Sequence, residues 1–123
     1  MKFNFIDYIK NLYKENKGYY SVYEGIIFVN SLSDVPEKTD KKIYIVGVKN
    51  RAKWVVFKCP DGCGRRVEVN LMKTRYPKWE MTIKKKKVSL YPSVIVNGCK
   101  THFWLDNSTV LIAKEDIFDN EYL

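Results

Sequence analysis

Four side chains constrain this sequence more than any others. Cys59, Cys63 and Cys99 are its three cysteines, and His102 is its only histidine. An odd number of thiols argues against a disulfide framework. Three thiolates and one imidazole do make a complete donor set for a tetrahedral zinc ion. The first pair lies in Lys58-Cys59-Pro60-Asp61-Gly62-Cys63-Gly64. Two sulfurs so spaced reach one ion only if the chain folds back sharply, and Pro60, Gly62 and Gly64 supply that turn chemistry. Gly64 also lets backbone amides approach the second sulfur unobstructed. The second pair, Cys99-Lys100-Thr101-His102, follows an Asn97-Gly98 tight-turn signal. Each pair ends a predicted strand, as the knuckles of a zinc ribbon do. The spacing therefore predicts one zinc held by Cys59, Cys63, Cys99 and His102. A closed set of this kind is structural, since catalytic zinc keeps a position for water. Two other readings stand beside it. The cysteines can be small buried apolar side chains, and Asp61 can supply a carboxylate in place of a thiolate.

The rest of the pattern predicts a mainly β (α+β) fold, a small antiparallel zinc-ribbon-like sheet with an N-terminal helix. Phe5, Tyr8, Ile9 and Leu12 follow helical spacing over 3–16, and Gly18 stops the run. Residues 24–29 read as a short strand, and 31–40, with Pro36, as a turn and loop. From Lys42 onward β-branched and alternating runs dominate: 42–48, 54–57, 67–71, 79–83, 88–90, 94–96, 103–105 and 110–113. A length of 123 residues fits one zinc-binding domain. It divides into a helical extension over 1–40, a zinc β core over 41–114 and an acidic tail over 115–123. No apolar run is long enough to span a bilayer, and the start of the chain lacks the apolar stretch of a signal peptide. A cytoplasmic location, off the membrane, is the expectation.

Charge is unevenly spread. Residues 1–40 carry net −1, residues 41–104 net +13 and residues 105–123 net −4, within a total of +8. Such a central field favours an acidic partner, either a protein face or nucleic acid. The candidate surface comprises Arg65 and Arg66 after the first knuckle, Lys84, Lys85, Lys86 and Lys87 at an expected hairpin tip, Lys100, and Trp104 beside the second knuckle. The arginines can grip carboxylate or phosphate bidentately. The lysine run is equally a solvated turn that protects a sheet edge, and Trp104 is equally a shield over the zinc.

Four blocks in one order carry a family resemblance: CPDGCGRRVEVNL at 59–71, PKWEMT at 77–82, VSLYPSVIV at 88–96 and GCKTHFWL at 98–105. In them the chain resembles a bacterial zinc-knuckle family of small metal-binding proteins. That family is marked by a Cys-Gly-rich knuckle, a Leu-x-Pro-Ser segment and a Gly-Cys-x-x-His-aromatic-Trp segment. The resemblance spans residues 43–112. It implies a place beside bacterial ubiquitin-like conjugation and antiviral defence cassettes. Relatives often carry a further cysteine where this chain has Asp61, so the ligand choice does not transfer by analogy.

Little in the sequence supports catalysis. The zinc reading uses the sole histidine, and the His-x-Glu of zinc deaminases is missing. A Cys–His dyad would need His102 free. No catalytic residue is assigned. The expected function is a non-catalytic, zinc-stabilised interaction module that binds a ubiquitin-like protein or another conjugation or defence component. The alternative is a nucleic-acid-binding zinc protein that uses the basic face of 41–104. A zinc or cysteine hydrolase ranks below both.

Overall fold

Strands whose alternate residues are apolar each have one face to bury, and here they bury those faces against one another. The computed structural model describes residues 20–21, 23–99 and 101–112. The expected helix over 3–16 and the acidic tail lie outside them. Nine strands occur among the described residues: β1 Tyr20–Ser21, β2 Gly25–Val29, β3 Lys42–Val46, β4 Trp54–Lys58, β5 Arg66–Asn70, β6 Glu80–Lys84, β7 Lys87–Ile95, β8 His102–Asp106 and β9 Thr109–Ile112. They build a four-stranded sheet in the order β2-β3-β4-β5 and a five-stranded sheet in the order β1-β9-β8-β7-β6.

This corrects the expected architecture. Where one small antiparallel zinc-ribbon-like sheet with an N-terminal helix was expected, the described residues are mainly β in two packed sheets, and no such helix is among them. The only helices among the described residues are single 3-10 turns, Leu32–Asp34 and Lys49–Arg51. Nor is the pairing wholly antiparallel, because β2 runs parallel to β3. The reason is burial. Val55, Phe57, Val67 and Val69 on one sheet and Leu90, Val94, Phe103 and Leu105 on the other share a single core cluster. A lone ribbon would leave one of those faces in water, at a cost of ~25 cal/mol for each Å². Phe57 is central and fully buried. Its ring meets Tyr23 edge-on at 5.2 Å and Phe103 at 6.0 Å.

Two features of the five-stranded sheet position the site. The β6–β7 and β8–β9 hairpins turn on residues with positive φ, Lys85 and Lys86 in the first and Asn107 and Ser108 in the second. The lysine run is thus a hairpin tip, with Lys84 paired to Lys87. The second feature is an irregularity in β7. Its register against β8 shifts between Leu90 and Val94, a stretch that includes the cis Tyr91–Pro92 peptide. A proline cannot donate to a ladder, so its place within a strand is at such a bulge, and bulges re-aim the side chains next to them.

Candidate functional site

The two cysteine-bearing turns meet at one end of the sandwich. The first folds back between β4 and β5, with the Cys59 amide donating to the Arg65 carbonyl at 2.8 Å and Gly62 and Gly64 both at φ +84. The second, 97–101, joins β7 to β8. Between them the ligand atoms of Cys59, Asp61, Cys63 and Cys99 all lie within 4.8 Å of one another. The sulfurs of Cys59 and Cys99 are 3.5 Å apart. Two thiolates on one tetrahedral zinc would be about 3.8 Å apart, given Zn–S bonds of about 2.3 Å. Three sulfurs and one carboxylate at this spacing can hold a metal ion.

Asp61 ties the cluster together. One carboxylate oxygen accepts from the Cys63 amide at 2.7 Å and from the Cys59 thiol at 3.1 Å. The other accepts from the Thr101 hydroxyl at 2.6 Å, across the two turns. The Thr101 hydroxyl and the Cys63 thiol and amide hold this carboxyl well below the usual carboxylate range. The sulfurs respond in opposite directions. Burial pushes the Cys59 thiol up, the Asp61 carboxylate pushes Cys63 up, and Thr101 lowers Cys99. A persistent carboxylate beside three sulfurs, one of them (Cys99) shifted toward its thiolate, is a site whose charge balance a cation would complete.

His102 is not in that group of four. It opens β8, directly opposite Ile95 of β7, and its Nε2 lies 2.6 Å from Ser93 Oγ. Ser93 and Ile95 share one face of β7 because side chains alternate along a strand. The Ser93 carbonyl accepts from the Trp79 indole at 3.1 Å, which anchors the backbone that carries the hydroxyl. Both Ser93 and His102 are half-buried, and burial pushes the imidazole below its ordinary pKa. In the tautomer with Nδ1 protonated, a neutral imidazole can accept the serine proton at Nε2, which is the chemistry that activates a serine hydroxyl.

The remaining expected residues are dispersed. Arg65 lies against Gly98, where an added Cβ would sit 2.8 Å from the guanidinium carbon. Arg66 pairs with Glu68 at 2.9 Å. Lys84, Lys85, Lys86 and Lys87 are exposed at the hairpin tip, and the side chain of Lys100 lies outside the described ones. Trp104 is buried, 6.2 Å from the Tyr91 ring. Sequence reasoning missed Ser93 and Trp79. A proline inside a strand pattern, directly before a serine and nine residues from the only histidine, was the available signal. No helix among the described residues is long and apolar enough to cross a membrane.

Residues 28–113 match a family model described as bacterial ubiquitination-like system serine protease (BubE). No curated protein and no solved structure matches the chain.

Proposed function

Since this chain belongs to the BubE family of a bacterial ubiquitination-like system, we propose that it is a serine peptidase with Ser93 as nucleophile and His102 as general base. The observation that carries the reading is the 2.6 Å contact between Ser93 Oγ and His102 Nε2. A serine hydroxyl is a weak nucleophile until an adjacent base takes its proton. As Oγ bonds to the substrate carbonyl carbon, its proton passes to Nε2. Collapse of the tetrahedral adduct breaks the carbon–nitrogen bond, and the leaving amine takes the proton from Nε2. Water then attacks the acyl-serine, gives one proton to Nε2 and releases the carboxylic acid. Nε2 returns that proton to Ser93. Trp79 acts through Ser93, as a positioning residue that holds its carbonyl.

The substrate class follows from the family's system. It is a protein amide, at a junction involving a ubiquitin-like protein, and the partners are proteins. The metal reading is revised accordingly. Cys59, Cys63, Cys99 and Asp61 are the ligand set, and His102 serves Ser93 instead. Three sulfurs and a carboxylate suit zinc, a borderline-soft ion that accepts both donor types. Four protein donors leave no position for water, so its role is structural. It would fasten 59–65 to 97–101, from which His102 enters β8.

A fluorophosphonate probe tests the catalytic reading. Purified protein should be labelled at Ser93, labelling should vanish in Ser93→Ala, and that variant should keep its folded spectrum. A protein that resists the probe and cleaves no ubiquitin-like fusion would restore the non-catalytic interaction module.

A further inference from the structure

The two sheets leave one side of the sandwich open. β5 is the last strand of its sheet, and β7 runs on past β6, whose pairing stops at Tyr91. Between these edges lies a cleft of about 620 Å³, walled in part by Arg65, Arg66, Arg75, Tyr76, Trp54 and Ile95.

The backbone of both walls is available. Cys59 donates to the Arg65 carbonyl and Leu71 to that of Lys53 at the two ends of the β4–β5 pair. Bonded residues alternate in an antiparallel pair. Arg65, Val67 and Val69 therefore face β4, and Arg66 and Glu68 turn their amides and carbonyls outward. The same rule applies to β7. Val96 donates to Thr101 of the turn before β8, so Ile95 turns its backbone to the open side. Ile95 is itself exposed, and it stands opposite His102.

The charges have a direction too. Arg66 is matched by Glu68. Arg65 and Arg75 have no carboxylate within ion-pair distance among the described residues. Arg65 is seated by the missing Cβ of Gly98.

We propose, building on the peptidase reading, that this cleft receives the substrate polypeptide as an extended strand bearing an acidic side chain. The strand would pair with the open groups of Arg66, Glu68 and Ile95, and its carboxylate would meet Arg65 and Arg75. Free edges capture extended peptides through main-chain hydrogen bonds, with flanking side chains setting preference. A phosphodiester strand offers no amides to pair with such an edge. A peptide so bound runs along β7 toward Ser93.

Fluorescence anisotropy with Ser93→Ala protein tests this without turnover. The probes are short fluorescein-labelled glycine- and valine-rich peptides that carry one glutamate, or a lysine or alanine in its place. The glutamate peptide should bind most tightly. Arg75→Glu should weaken it about tenfold and improve the lysine peptide, as expected for one charge-assisted contact. The far-UV spectrum and thermal unfolding of Arg75→Glu should match those of the parent protein, so that the change reads as binding. Equal binding of the three peptides, indifference to Arg75→Glu, or displacement by single-stranded RNA more readily than by unlabelled peptide would overturn the cleft assignment. Failure of the fluorophosphonate to label Ser93 would instead overturn the peptidase reading, leaving peptide binding as a separate result.

Discussion

Burial of His102 has a measurable sign. It disfavours the imidazolium, so the proton leaves at lower pH than from a free imidazole, and the base is ready over a wider acid range. We expect kcat/KM for a peptide substrate to rise with pH through a midpoint below 6.5, the ordinary histidine value, and then to level off. A midpoint above 6.5 in the pH profile would contradict that environment. Asp61 gives a second prediction. Asp61→Ala removes one of four donors and a link to Thr101, and should weaken metal binding by at least about 10-fold, the size of effect seen even for outer-shell partners. Asp61→Cys, which restores a thiolate donor, should bind at least as tightly as the native protein. Competition with a chromogenic chelator measures both. Residue by residue, the three sulfurs were legible because cysteines are few and knuckle spacing is informative. The neighbour of the histidine was not legible. Spacing shows which donors can reach a metal, and cannot show that a serine 2.6 Å away has a competing claim on the same nitrogen.

The connections between strands behave as units. The 59–65 and 97–101 turns meet through Asp61 and Thr101, and the second delivers His102 into β8. Chelation should therefore lower Tm by more than about 10 °C, because structural zinc in small domains is worth on the order of 10 kcal/mol. It should also abolish fluorophosphonate labelling, although the ligand set includes neither Ser93 nor His102. Calorimetry and labelling on the same chelated sample check this. The β6–β7 turn offers a gain instead. Lys85 and Lys86 have φ of 50° and 63°, a conformation that asparagine and glycine adopt more readily. Replacing Lys85 by Asn together with Lys86 by Gly should stabilise the protein by about 0.5–1 kcal/mol, read from denaturant midpoints. That the lysine run forms a tip was legible from the alternation on either side of it. That its backbone is left-handed was not, since lysine carries no such signal.

Across the whole molecule, stability rests on one core shared by two sheets, so damage at its centre is not local. Phe57→Ala should cost about 3–5 kcal/mol in equilibrium unfolding, a large share of the 5–15 kcal/mol typical of a domain. Strand positions were largely readable, because period-two alternation is a property of neighbouring residues. Strand partnership was not. β1 joins β9 through Tyr20 and Val110, and no short window contains both. The parallel β2–β3 pair was hidden for the same reason. Chain separation also bears on the order of assembly. Ser93 and His102 are nine residues apart, on adjacent antiparallel strands, whereas Cys59 and Cys99 are forty apart. Short loops close early and long ones late. A newly made chain would thus bring its serine and histidine together before its sulfurs meet, and would hold a nascent dyad in an unfastened hairpin until metal arrives. Metal supply would then time the protein's maturation.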